Sequence, residues 1–342
     1  MSRTSTSQPP LRIGPLTVQG RAFLAPMSGV TDTPFRLLAH SLGAGLVVSE
    51  MVASSELAKG RPKAVRKAQR GAVKPFVMQL AGRETHWMGE GARIAEGLGA
   101  DVIDINMGCP AREVTGMLSG SALMRDLDHA QRLIEAVVAA TSRPVTLKMR
   151  LGWDAASLNA PELARRAEQA GVVLITVHGR TRCQFYKGRA NWSAVRAVRD
   201  ASRLPLVVNG DIVDPVSART ALAASGADAV MIGRGAYGAP WMPGRIGTAL
   251  ATGVDPGDPG PDVRGDLLCE LIVAMSALHG REHGLKQARK HIAWTLDRST
   301  LGPERRRAWR ARLCQLDDVD VVLRGVREAM AEALDAQGAL AA

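Results

Sequence analysis

Cysteine is scarce in this chain and never clustered. Cys109, Cys183, Cys269 and Cys314 are the 4 cysteines in 342 residues. No two form a C-x-x-C pair, so neither a zinc site nor a disulfide framework is suggested, and a reducing cytoplasm suits the chain. Long apolar runs are missing too. No stretch reaches the roughly 18 consecutive apolar residues of a membrane span, and the opening MSRTSTSQPP lacks the apolar segment of a secretory signal; neither secretion nor membrane insertion is expected. No G-x-G-x-x-G follows an early strand, which removes the best support for a doubly wound dinucleotide-binding sheet. Acidic side chains are outnumbered, 33 Asp and Glu against 44 Lys and Arg, for a net charge of +11. A small uncharged substrate needs no such excess. A polyanionic partner would use it, with a basic surface serving solubility alone as the alternative.

Hydrophobic residues, at 46%, and charged residues, at 23%, are in the proportions of a folded globular protein, and 342 residues suffice for one large domain and a smaller one. From Arg21 to about Gly235 one theme recurs: a helical stretch rich in Ala, Leu and Arg, a glycine, a short apolar run, then a polar loop. In AEGLGADVIDINMG, AEQAGVVLITVHG and LAASGADAVMIGRG the glycines Gly99, Gly171 and Gly226 stand where a helix C-cap needs a left-handed residue. The runs FLAP, LVVSEM, PFVMQL, VIDINM, VTLKMR, LITVHG, LVVNGD and AVMIGR number about eight and mostly lack apolar/polar alternation, as strands covered on their outer face do. The pattern predicts an α/β fold, a (β/α)8 TIM barrel over 21–245 after an N-terminal extension at 1–20. ATGVDPGDPGPD marks a linker, placed at 246–262. Beyond it LLCELIVAMSALHGREHG, LKQARKHIAWTLD, PERRRAWRARLCQL and VVLRGVREAMAEALDAQ read as helices of a small all-α bundle at 263–342. No long heptad or apolar patch appears, so a monomer is expected.

In such a barrel the polar residues at the C-terminal strand ends form the active site. They are Met27, Ser28, Gln79, Asn106, Cys109, Lys148, Arg150, His178, Asn209, Asp211, Gly233 and Arg234. The glycine-rich turns after the last two strands, with Arg234 beside them, form a phosphate cradle. Gln79, Asn209 and Lys148 can meet a planar heteroaromatic ring, with Lys148 placed to stabilise negative charge on a reduced flavin. FMN is the natural candidate. Each residue taken singly is as readily structural, a solvated lysine or a satisfied core histidine. Cys109 differs from the other cysteines in following a strand end between Gly108 and Pro110.

APMSGVTD (25–32), MQLAG (78–82), DINMGCP (104–110), LKMR (147–150), VHGRTR (177–182), NGDI (209–212) and MIGRGA (231–236), together with the trailing YKGRANW, resemble the motifs of bacterial tRNA-dihydrouridine synthases over nearly the whole chain. The likeness is greatest to their B-type subgroup. The resemblance implies FMN at the barrel mouth, held by Ala25, Pro26, Met27, Gln79, Lys148, His178, Asn209, Gly210, Asp211, Gly233 and Arg234. It also implies NADPH, or NADH, as reductant, hydride delivery to uracil C6, and Cys109 as the thiol that protonates C5.

The partner so implied is tRNA, whose target uridine must be swung out of its stack to reach a barrel mouth. Asn106 is then expected to hydrogen-bond the extruded base. Arg180, Arg182, Lys187 and Arg189 after the sixth strand, and Lys286, Arg289 and Lys290 on one helical face, would hold the phosphate backbone. The Arg-rich run at 305–312 reads instead as a solvated helix face. One departure from the family's pattern is Thr295 after Trp294, where an aromatic is common. Two other readings fit parts of the sequence: an FMN barrel enzyme acting on a free pyrimidine, and a non-catalytic RNA-binding barrel.

Overall fold

The computed structural model describes residues 10–116 and 118–341. Two compact units emerge, one comprising the chain through Gly235 with Pro243–Asp255, the other Ala236–Met242 with Pro256 onward. The first opens on a hairpin, β1 (Leu11–Ile13) and β2 (Leu16–Val18). A parallel sheet follows: β3 (Ala22–Leu24), β4 (Leu46–Val47), β5 (Val52–Ala53), β6 (Val77–Ala81), β7 (Val102–Met107), β8 (Val145–Arg150), β9 (Leu174–His178), β10 (Leu206–Asn209) and β11 (Ala229–Ile232).

Its order, β4-β3-β11-β10-β9-β8-β7-β6-β5, begins and ends on neighbouring pieces of one run, LVVSEMVA. β4 pairs with β3 and β5 with β6, while between them Val48 bridges Val77 and the Ser49 N–H donates to the Val77 carbonyl. A single bent pass therefore joins both edges, and the nine segments make the expected eight-stave closed barrel. Closure removes the edges that an open parallel sheet would expose.

Every residue of β6, β7 and β9 is buried, which is why these strands are mainly apolar, with few polar residues among them. Helices cover the outside. Leu127–Val138 shows how: Ala130, Leu133, Ile134 and Val137 recur at helical spacing and are all buried, each large side chain contributing about 1.5–3 kcal/mol. Gly99, Gly171 and Gly226 all have positive φ, 84°, 97° and 67°, so each helix ends as the sequence implied. Leu11, Ile13 and Val18 of the hairpin join Val77, Val102, Leu174 and Ala229, the first residues of their strands, in one apolar cluster. The amino end of the barrel is thus plugged, and the carboxyl end carries the polar loops.

The second unit holds helices Pro261–His279, Arg281–Asp297, Pro303–Leu313 and Val319–Ala341. The segment expected as a linker is helical as far as Thr252 and irregular only at 253–260. REHG opens the second of the four helices and does not close the first. Gly280, with φ 85°, breaks the chain, whereas Gly284 lies inside a helix. A Cβ at Gly284 would come 2.5 Å from the Met275 carbonyl, so this glycine permits close helix packing and is not a terminator. Trp294 stacks on Tyr237 at 3.9 Å, and Thr295 is buried beside it, so the smaller residue there leaves a packed site.

Candidate active site at the barrel mouth

Strand register assembles the site. Gln79, Asp104 and Thr146 are registered partners across β6, β7 and β8, and Asn106 and Lys148 lie one inward-facing step higher. Asp104 is fully buried. Its carboxylate accepts from Thr146 Oγ1 and from Gln79 Nε2, each at 2.6 Å. Burial pushes it up to about 6 against those hydrogen bonds and the nearby Lys148. Lys148 Nζ donates to Asn209 Oδ1 at 3.2 Å, and Asn209 Nδ2 in turn donates to the Met231 carbonyl at 2.8 Å. Burial, then Arg150, bring Lys148 down to about 8.

Arg150 forks into three backbone carbonyls, those of Gly108, Thr181 and Phe185, all at 2.8 Å, and so ties the loop after β7 to the loop after β9. His178 is held neutral, first by burial and then by Arg150, Lys148, Arg180 and Arg234. Gly210, at φ 111°, lies against it. A Cβ there would stand 2.9 Å from the imidazole, so this turn can carry no side chain. Asp211 follows with φ 55°, a conformation Asp tolerates better than most residues, and is pinned by the Ala190 N–H, Arg180 and Arg234.

Cys109 is partly exposed on the loop after β7. Its N–H and that of Gly108 donate to Asn106 Oδ1 at 3.0 and 3.1 Å, and its carbonyl accepts from the backbone and hydroxyl of Ser121. The sulfur lies within electrostatic reach of Lys148 and Arg150. Ala25 closes the ring through its N–H to the Ile232 carbonyl, the half-buried Pro26 and Met27 follow it, and a Cβ on Gly233 would face Met27 and Ala25 at 3.8 and 3.9 Å. The guanidinium groups of Arg150 and Arg234 stand 5.5 and 5.1 Å from the Tyr186 ring. Tyr186 was not among the residues expected at the site; its place in YKGRANW, a few residues after VHGRTR, was the available signal.

Three of the expected substrate contacts are engaged within the protein. Asn106 has both ends of its amide engaged within the protein, Nδ2 donating to Gln79 Oε1 at 2.7 Å and Oδ1 accepting from the Cys109 N–H, so it shapes the Cys109 loop. Arg180 is 1% exposed and spent on Asp211, the Gly188 and Lys187 carbonyls and His178. It is an internal clamp. Arg182 is packed at 4.6 Å against both Trp153 and Phe185. Lys187 and Arg189 are exposed on the same loop. In the helical unit Lys286 pairs with Glu282 and Arg289 with Asp317, while Lys290 meets Gln287. In the 305–312 run, Arg305 and Arg312 pair with Glu332 and Glu328, as on a solvated face.

A closed parallel barrel with a thiol, a neutral histidine and converging cations at its carboxyl end has the arrangement of a barrel enzyme whose site lies at its mouth. Residues 23–335 match the sequence family described as dihydrouridine synthase. A probable tRNA-dihydrouridine synthase of Rhizobium leguminosarum bv. phaseoli is 53% identical over 83% of this chain and 87% of its own. tRNA-dihydrouridine synthase B of Pseudomonas aeruginosa is 43% identical over 94% and 96%. This chain belongs to the dihydrouridine synthase family, an oxidoreductase family. Among solved structures, histamine dehydrogenase from Rhizobium sp. 4-9 shares the fold with a TM-score of 0.57 at 14% identity, over 95% of this chain and 64% of that one. A variant of NCR from Zymomonas mobilis does so with a TM-score of 0.50 at 20% identity, over 69% and 89%.

Proposed function

We propose that this protein reduces the C5=C6 bond of uridine in tRNA, in the cytoplasm, with FMN at the barrel mouth and NADPH as reductant. The observation that carries the reading is the charge at the mouth. Lys148, Arg150, Arg180 and Arg234 converge on His178, and the nearby carboxylates are Asp104 and Asp211. The excess of cations matches a phosphomonoester of nearly two negative charges. Arg234 and the turn at Gly233 would take the phosphate; Lys148, Gln79 and Asn209 would meet the ring, with Ala25, Pro26 and Met27 along its edge. Bound there, FMN would supply the hydride that uracil accepts at C6.

Hydride addition at C6 places enolate charge on the C5–O4 side of the base, which a facing donor stabilises and a proton at C5 discharges. Cys109 supplies that proton. For this it must stay a thiol, so the loop has to hold the sulfur toward the base without stripping its proton. Neutral His178 can donate one hydrogen bond without adding positive charge to the site. Lys187 and Arg189 on the barrel, and Lys286, Arg289 and Lys290 on the helical unit, bind the tRNA backbone as phosphates displace the present partners of the paired ones.

The purified protein is expected to be yellow, to release FMN on denaturation, and to form dihydrouridine in unmodified tRNA when NADPH is added, as read by mass spectrometry of digested nucleosides. Turnover of free uracil or orotate in place of tRNA would move the assignment to a small-molecule reductase. A colourless protein that binds tRNA would make it a non-catalytic binder.

A further inference from the structure

β7 is an apolar strand with one carboxylate in its middle. Asp104 is 4% exposed, and its ionised form is costly in such a place. We propose that Asp104 is a positioning residue, which sets the loop bearing Cys109 by fixing the hydrogen-bond polarity of two side-chain amides in series, Gln79 and Asn106.

An ionised carboxylate only accepts, whereas an amide has one accepting and one donating end. Thr146 occupies one oxygen of Asp104, and the other therefore calls the Nε2 end of Gln79 toward it. That turns Gln79 Oε1 to Asn106, which can answer only with Nδ2, at 2.7 Å. Asn106 is thereby obliged to face the strand end with Oδ1, where it takes the N–H groups of Gly108 and Cys109. The carbonyls of the same two residues are held from outside this chain of amides, by Arg150 and by Ser121. The loop is thus gripped at its donors by Asn106 and at its acceptors by other groups. If the polarity of the series reverses, Asn106 presents a donor to two donors, and the first grip fails while the second remains.

Asparagine in place of Asp104 removes the compulsion, because it can offer its own NH2 to Gln79 and let both amides turn over. Replacing Gln79 by Glu at the same time restores it: the introduced asparagine would donate to the introduced carboxylate, whose other oxygen again accepts from Asn106. Thr146→Val deletes a hydrogen bond from the same carboxylate but leaves the Gln79 end unchanged, so it reports on structural support alone. The effect on turnover rests on the proposed role of Cys109; the effect on the loop does not.

The test compares wild type, D104N, Q79E, D104N/Q79E and T146V in the full-length flavin-loaded protein. Iodoacetamide alkylation of Cys109 is followed by peptide mass spectrometry, and dihydrouridine formation is followed on unmodified tRNA. D104N is expected to change the Cys109 alkylation rate severalfold and to slow turnover about a hundredfold, the scale of a reacting group displaced by about an ångström. D104N/Q79E should return the alkylation rate to the wild-type value, and T146V should leave it there. Should D104N fail to fold, the same relation is read from D104N/Q79E, which should lie nearer wild type than Q79E. Wild-type alkylation in D104N, an equal disturbance in T146V, or a double variant no better than Q79E would overturn the proposal. Restored alkylation with turnover indifferent throughout would uphold the amide series and instead remove Cys109 from the chemistry.

Discussion

At the scale of single residues, the site depends on two buried charges whose ionisation lies near neutrality and on one thiol. Cys109→Ala should abolish dihydrouridine formation while flavin, which the thiol does not hold, stays bound; the visible spectrum and a nucleoside assay read the two separately. Lys148, lowered to about 8 by burial, keeps its charge below that pH and loses it above. FMN affinity of the apoprotein, followed by quenching of flavin fluorescence, should therefore fall by up to about tenfold as pH passes from neutral through about 9, and the step should vanish in Lys148→Met. Asp104 runs the other way. Its folded pKa of about 6 lies above the ordinary 3.8, so the native state binds the proton more tightly and its stability declines as pH rises between those values. The decline amounts to roughly 2–3 kcal/mol, and thermal unfolding of D104N should lack this contribution.

At the scale of elements, the loop from Gly179 to Trp192 is built around one buried guanidinium. Arg180→Ala would leave Asp211, at its positive φ, short of its strongest partner and would release the Lys187 and Gly188 carbonyls. A loss of about 1.5–3 kcal/mol is expected from removing charge-assisted hydrogen bonds while Arg234 and the Ala190 N–H still hold Asp211, and weaker flavin retention should accompany it. Arg180→Lys should not rescue it, since one ammonium cannot reproduce the planar fork; differential scanning of the two variants with and without added FMN would show it. The elements themselves were legible: the C-cap glycines, the covered strands and the change to helical periodicity after the barrel are local patterns. The inward partners of Arg180 and Asn106 were not legible, because a polar side chain at a strand end reads alike whether it points to solvent or inward. Asp104 was passed over as part of a motif, although a carboxylate within an apolar run was the visible clue.

At the scale of the whole molecule, the net charge of +11 should express itself as salt-sensitive tRNA binding. Neutralising Lys187 or Arg189, both exposed, should reduce the slope of log affinity against log salt by about one each. Lys286 and Arg289 must first leave Glu282 and Asp317, so their substitution should reduce it by less; fluorescence anisotropy across a salt series distinguishes the two groups. The order of elements, the closed barrel, the helical unit, the basic balance and Cys109 at a strand end were determined by the sequence by itself, since each follows from residues close together in the chain. Only the tertiary structure decided which polar groups are spent inside and which face outward. The partners of Asp104 lie 25 and 42 positions away and that of Arg180 31 away, and strand register, not local pattern, brings them within hydrogen-bond reach.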